Sequence, residues 1–142
     1  DVCSSDLLRP RPGLRRVSAP QAAARRSVLV VCRSAPYGRS RARDAVDVAM
    51  AFAAFDQPVT LLFLGDGVLA LATGQRPAAE LSRSLEKLLG TLADYGVEEV
   101  HADATALAAR GLDARDLALP VRLAGPAELR ELFDAHDRVL TV

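Results

Sequence analysis

Ser27-Val28-Leu29-Val30-Val31-Cys32 is a continuous apolar run rich in β-branched residues, and it decides the fold class. Such a run is typical of a strand buried on both faces, as in a parallel sheet. A second run of this kind covers Val59 to Leu64. Apolar residues between the two runs recur at helical spacing after Ser40, which we expect to cap the helix. They are Ala42, Ala45, Val46, Ala49, Met50 and Ala53. Strand, helix and strand in this order predict a βαβ unit.

The rest of the chain continues this alternation. A leucine pattern at helical spacing predicts a second helix that Gly96 closes. Its members are Leu81, Leu85, Leu88, Leu89 and Leu92. The remaining predicted elements are a strand over 97–102, a helix over 105–110, a strand over 121–123, a helix over 126–135 and a strand over 138–142. This pattern predicts an α/β fold in three α/β/α layers around a five-stranded parallel sheet.

Length and composition limit the classes of function. With 142 residues and 15.1 kDa the chain has the size of one domain. No apolar run reaches the roughly 20 residues that a membrane span needs, so we expect no membrane partner. Cys3 and Cys32 are too few for a disulfide framework and lack metal-ligand spacing. We therefore expect a cytoplasmic protein without a metal or cofactor.

The first 26 residues differ from the rest in composition. They hold six Arg against Asp1 and Asp6, and Arg9-Pro10-Arg11-Pro12-Gly13 has no helical or strand period. We interpret 1–26 as a disordered, non-native extension and 27–142 as the folded domain; a transit peptide is the alternative. The domain holds twelve basic and sixteen acidic residues, a net charge of −4. An acidic body argues against direct binding of nucleic acid.

The residues alone identify no complete active site at the carboxyl ends of the predicted strands. The loop 34–40 has one Gly and contains Pro36, so it is a poor backbone cradle for a nucleotide phosphate. Asp103 follows the third strand, as a phosphoacceptor would, but no acid ends the first strand to help bind Mg²⁺. Cys32 is interpreted as a small buried hydrophobe, with a reactive thiol beside Arg33 and Arg39 as the alternative. His101 is interpreted as structural, at a strand edge or subunit contact.

Three short motifs carry a resemblance to a known family. Ser34-Ala35-Pro36-Tyr37-Gly38 resembles the [ST]-A-P-x-G motif of the DsrE/DsrF-like family, in its TusC/DsrF branch. Asp66-Gly67-Val68 with Gly74-Gln75-Arg76-Pro77 resembles that branch's D-G-V and G-Q-x-P segments. Arg110-Gly111-Leu112-Asp113 is similar to its R-G-L-D. The order and spacing of the motifs agree over 27–142.

The resemblance implies a function that the residues alone do not. It implies a five-stranded parallel sheet and assembly with two related small subunits, TusB-like and TusD-like (DsrH/DsrE-like), into a hetero-hexamer. Such a complex passes persulfide sulfur to a downstream acceptor protein for thiolation of the tRNA wobble uridine. In sulfur-oxidising bacteria, DsrF relatives serve cytoplasmic sulfur transfer instead.

The resemblance also suggests which residues have a role in assembly. Candidate motif and interface residues are Pro36, Tyr37, Gly38, Asp66, Gly67, Val68, Gly74, Gln75 and Pro77. The apolar turn Val68-Leu69-Ala70-Leu71 is the expected subunit contact.

The position of the sulfur-carrying cysteine is occupied differently in this chain. Sulfur-carrying relatives place that Cys eight residues before the Gly of the R-G pair, and counting back from Gly111 gives Asp103. A carboxylate cannot hold a persulfide, whereas Asp suits a helix N-cap. The resemblance therefore predicts a non-catalytic scaffold subunit of the TusC type. The alternatives are a DsrF-like subunit of sulfur oxidation and a sulfurtransferase that uses Cys32.

Deleting 1–26 tests the assignment of this segment. We expect the thermal midpoint to stay within a few degrees, because a segment that buries no core adds little stability. Thermal unfolding followed by circular dichroism measures the change. A drop of about 10 °C or more would show that the segment packs on the domain.

Overall fold

The structure is a computed structural model, and it describes residues 25–75 and 85–142. Cys3, Arg76, Pro77 and Leu81 lie outside these residues, as does nearly all of the expected extension. Of that extension Arg26 is described, and its backbone N–H donates to Gln57 Oε1 at 3.0 Å.

The five predicted strands are present and form one parallel sheet. They are β1 (Val28–Cys32), β2 (Val59–Phe63), β3 (Glu99–Asp103), β4 (Arg122–Ala124) and β5 (Arg138–Thr141). Their order across the sheet is β4-β3-β2-β1-β5. Every residue of β1 and β2 is buried, because these two strands lie inside the sheet with both faces covered. The continuous apolar runs of the sequence follow from that position.

The described residues form four α-helices, which connect or flank the strands. They are α1 (Arg41–Ala54), α2 (Leu85–Gly90), α3 (Ala104–Ala109) and α4 (Pro126–Ala135). In the same described residues, the connections also contain three 3₁₀ segments, which are Gly65–Leu71, Ala93–Tyr95 and Ala114–Asp116. Within the described part of the chain, no helix is long and apolar enough to cross a membrane.

Helices cover the two faces of the sheet unequally. Apolar residues of α1, α2 and α3 join one large buried cluster with alternate residues of β1 and β2, such as Val30 and Leu61. On the opposite face, a smaller cluster of Leu29, Val31 and Leu62 packs with residues of α4. Those α4 residues are Leu129 and Leu132. The predicted three-layer α/β/α architecture is therefore confirmed.

A short polar connection attaches the end of α4 to the sheet. His136 follows α4 and donates its Nδ1–H to the Leu132 carbonyl at 2.6 Å, while its Nε2 lies 2.9 Å from Thr60 Oγ1. Thr60 is buried in β2, so these contacts satisfy a hydroxyl that burial would otherwise leave costly. His136 therefore positions the only helix described on this face.

Three local expectations were wrong. Ser40 occupies the N-cap position of α1, but its backbone is helical and its hydroxyl donates to Asp44 Oδ2 at 2.8 Å instead of capping. The second helix ends at Gly90, and Gly96, with a φ of 90°, closes the 3₁₀ segment that follows. His101 lies in β3 between β2 and β4, so the expected place at a strand edge was wrong, whereas the alternative of a subunit contact stays a prediction.

The expected subunit contact was also wrong. Val68, Ala70 and Leu71 are buried within the domain, because the 3₁₀ segment Gly65–Leu71 folds its apolar side onto the main cluster. Their apolar character therefore belongs to this chain's own core.

Candidate functional site

The family motifs meet at the carboxyl edge of the sheet. Ser34 to Gly38 follow β1, the 3₁₀ segment Gly65–Leu71 follows β2, and α3 follows β3. Since β1, β2 and β3 are neighbouring parallel strands, their carboxyl ends lie together. This is the edge where α/β folds bind ligands.

Gly67 is required by a close approach of two backbones. A Cβ at this position would overlap the carbonyl oxygen of Cys32 and would lie 2.9 Å from the carbonyl carbon. The same carbonyl accepts a hydrogen bond from the backbone N–H of Leu64 at 2.9 Å. The D-G-V motif therefore seats the 65–71 segment directly on the end of β1.

An ion pair joins two of the motifs. Arg110 Nη2 bonds to Asp66 Oδ1, and Arg110 Nη1 donates to the Ala106 carbonyl at 3.0 Å. The first contact links R-G-L-D to D-G-V, and the second holds the guanidinium against the last turn of α3. The sequence shows both motifs but not that they pair. The opposite charges of Asp66 and Arg110 are the signal that could have predicted the contact.

Gln75 fixes the G-Q motif to the same segment. Its Nε2 lies 2.7 Å from the Leu69 carbonyl, 3.1 Å from that of Ala70 and 3.0 Å from that of Ala72. The backbone adds two further bonds, from Thr73 N–H to the Asp116 carbonyl and from Ala118 N–H to the Leu71 carbonyl, both 2.8 Å. These contacts tie the described part of the G-Q motif to the stretch that follows R-G-L-D.

Asp103 acts as the cap of α3. Its Oδ1 accepts the backbone N–H of Thr105 at 3.0 Å and of Ala106 at 3.3 Å. The predicted N-cap is therefore confirmed. The carboxylate satisfies amide groups at a helix start that would otherwise have no acceptor.

Cys32 is completely buried at the end of β1. Its thiol donates to the Ser34 carbonyl over 3.7 Å, and the side chain belongs to the main apolar cluster. Burial raises the pKa of the Cys32 thiol, and the hydrogen bond to Ser34 opposes this only in part. A buried thiol of raised pKa is a poor nucleophile.

The loop after β1 contains two exposed candidate motif residues. Tyr37 keeps 51% of its surface exposed, and Gly38 has a φ of 88°, which turns the chain toward α1. Pro36, directly before Tyr37, is half-buried. The residues that the structure describes contain no cluster of His, Cys, Asp and Glu suited to a metal ion.

A family model agrees with these motifs over the whole domain. The model of the DsrE/DsrF-like family matches residues 26–142. The chain belongs to the DsrE/DsrF-like family. Its members among curated proteins include a "Protein TusC homolog" of Pseudomonas aeruginosa, 40% identical over 116 residues, which are 82% of this chain and 98% of that protein. The "Intracellular sulfur oxidation protein DsrF" of Allochromatium vinosum is 42% identical over 85 residues, 60% of this chain and 62% of that protein. Both relatives support the TusC/DsrF branch.

A solved structure supports the fold. The crystal structure of the YchN protein from E. coli superposes with a TM-score of 0.72 at 24% identity, and the match covers 82% of this chain and 99% of that one. A protein of Methanobacterium thermoautotrophicum matches with a TM-score of 0.58 at 18% identity, over 82% of this chain and 98% of that one. At these identities the likeness concerns the fold alone.

Gly67→Ala tests the close approach in the D-G-V motif. We expect the free energy of unfolding to fall by about 1–3 kcal/mol or more, because the added methyl group meets backbone that cannot rotate away. Urea unfolding measures this change.

Gly90→Ala is the matched control. A Cβ on Gly90, at the end of α2, meets no atom within 4 Å, so the substitution should change stability by less than about 1 kcal/mol. Equal losses in the two variants would contradict a specific role for Gly67.

Proposed function

We propose that this chain is a non-catalytic scaffold subunit of a cytoplasmic sulfur-relay complex, TusC-like, supporting 2-thiolation of the tRNA wobble uridine. Its partners are TusB-like and TusD-like small subunits in a hetero-hexamer, and a downstream protein accepts the sulfur. The observation that carries the proposal is the chemistry of Asp103 and Cys32. Neither position offers the reactive thiol that a sulfur carrier needs.

Sulfane transfer makes strict demands on a carrier. A thiolate attacks the outer sulfur of a donor persulfide, a new S–S bond forms, and the donor's S–S bond breaks as its own sulfur leaves as a thiolate. The acceptor must therefore be ionised and must approach another protein's persulfide closely. Asp103 has no sulfur, and its carboxylate caps α3. Cys32 is buried and its pKa is raised.

The motif residues support a structural role. Gly67, Gln75 and the Asp66–Arg110 pair make their described contacts inside the domain. Such contacts hold one end of the sheet in a fixed shape, which is what a scaffold needs to position a partner. Exposed apolar side chains could pack against partner subunits. They are Tyr37, Phe55, Tyr95, Leu123, Phe133 and Val139.

A DsrF-like role in sulfur oxidation is the second candidate. The 42% identity to the Allochromatium vinosum DsrF protein favours it, although that match spans less of the chain than the match to the TusC homolog. The neighbouring genes discriminate the two: sulfite-reductase genes beside this one favour the DsrF role, and their absence favours the TusC role.

Co-expression tests the proposed assembly. We expect the chain alone to self-associate or express poorly, and to become soluble with its two small partners, because obligate interfaces are large and apolar. Size-exclusion chromatography and a pull-down measure the outcome. A monodisperse monomer that ignores both partners would remove the scaffold proposal.

Removal of the thiols tests the absence of a carrier role. After incubation of the assembled complex with a persulfidated donor, we expect no adduct of about +32 Da on Cys32 by mass spectrometry. A Cys3→Ser/Cys32→Ser chain, which has no thiol, should pass sulfur nearly as well as the wild type. Some stability should be lost through the buried hydroxyl.

Two controls separate chemistry from folding. Iodoacetamide should label Cys32 only after denaturation, and Cys3→Ser alone should behave as wild type. A persulfide on Cys32 together with lost transfer in a folded Cys32→Ser chain would make this subunit a carrier.

A further inference from the structure

Three arginines converge on one depression at the carboxyl edge of the sheet. Arg33 and Arg39 lie in the loop after β1, and Arg41 begins α1. With Tyr37 and Asp66 they line an open depression of about 430 Å³. All three arginines are exposed.

These arginines have no carboxylate partner among the residues that the structure describes. Within 25–75 and 85–142, no acid pairs with Arg33, Arg39 or Arg41, whereas four other arginines have carboxylate partners. Asp66, the one acid among the described residues that line the depression, is bound by Arg110. The depression therefore has a positive charge of about three on a domain whose net charge is −4.

Holding like charges together without a counter-charge is unfavourable, so the arrangement points to an anionic ligand. The planar guanidinium fork matches the oxygens of a phosphate, which it binds through paired hydrogen bonds. A phosphate monoester carries about −1.5 to −2 near neutral pH, enough to balance most of the three charges. A single carboxylate would balance only one.

The extent of the positive surface favours a compact ligand over a nucleic acid. A protein that follows an RNA backbone neutralises many phosphates along a basic stripe. Here Arg33, Arg39 and Arg41 share one depression and form no extended stripe with the other arginines, and the acidic domain around it repels a polyanion. The depression also lies at the carboxyl ends of β1 and β2, and this is the edge of the sheet where α/β folds bind small ligands.

We propose that Arg33, Arg39 and Arg41 form a binding site for one phosphate group, free or as the monoester of a small molecule. Pro36 lacks an N–H, so the guanidinium side chains, and not a backbone cradle, supply the donors. The proposal does not rest on the scaffold role proposed above, because it is argued only from the charges and the placement of the three arginines.

Calorimetric titration of the chain co-purified with its partner subunits tests the site. The probes are inorganic phosphate and adenosine 5′-monophosphate, at low salt so that the charges are little screened. We expect at least one of them to bind saturably with one site per copy of this chain. Binding of inorganic phosphate alone would indicate that the ligand is a free anion. Tighter binding of adenosine 5′-monophosphate would indicate that the ligand is a phosphate ester.

Charge-matched variants show whether the arginines form the site. Arg39→Gln should weaken binding about tenfold, and the triple variant Arg33→Gln/Arg39→Gln/Arg41→Gln should abolish it. Arg130→Gln, which removes the same charge from the exposed surface of α4, should change affinity less than about twofold. Arg39→Lys keeps the charge and loses the fork, so it tests the site even if the triple variant does not fold.

Three results would overturn the proposal. The first is no saturable binding of either probe up to about 10 mM. The second is an equal loss of affinity in Arg130→Gln and Arg39→Gln, which would indicate non-specific attraction. The third is binding of a short RNA oligonucleotide, or of an acidic peptide, where neither phosphate probe binds.

Discussion

The contact between Gly67 and the carbonyl of Cys32 determines how one whole end of this domain is built. It brings the 3₁₀ segment after β2 onto the end of β1, closer than any side chain would allow. That segment buries Val68, Ala70 and Leu71, and it carries Asp66 and the carbonyls that Gln75 contacts. The neighbouring motifs are then attached to it through Arg110 and through the backbone of the stretch after Asp113.

This construction explains why the family motifs in this chain have structural rather than catalytic contacts. Gly67 allows two backbones to approach closely, and Gln75 donates to backbone carbonyls. The ion pair of Asp66 and Arg110 links the connection after β2 to the end of α3. Asp103 caps α3. The function proposed above uses this domain as a fixed surface for a partner that supplies the reactive thiol.

The arginines at this end of the sheet fall into two groups, one that stabilises the fold and one that is free to bind a ligand. Arg110 is half-buried and paired, and it stabilises the fold. Arg33, Arg39 and Arg41 are exposed without a described carboxylate partner, on an otherwise acidic domain. Because these three guanidinium groups make no described ion pair and line one depression, they are available to a ligand. The two sets lie side by side because Asp66, which lines the depression, is also the partner of Arg110.

The sequence alone determined the five strands, the helices α1 and α4, the cap at Asp103 and the burial of Cys32. Each of these depends on local periodicity or on a residue's effect on its nearest neighbours, and such information is present in short windows. Ser40 and Gly96 were misjudged because a local cap competes with other partners: Asp44 takes the Ser40 hydroxyl, and the helix before Gly96 ends early. Only the tertiary structure decided the strand order β4-β3-β2-β1-β5 and the close contact of Gly67 with the Cys32 carbonyl. It also decided the pairing of Arg110 with Asp66, 44 residues apart, and the convergence of the three arginines on one depression. These features depend on which strands become neighbours, because residues far apart in the chain meet only after the sheet has assembled.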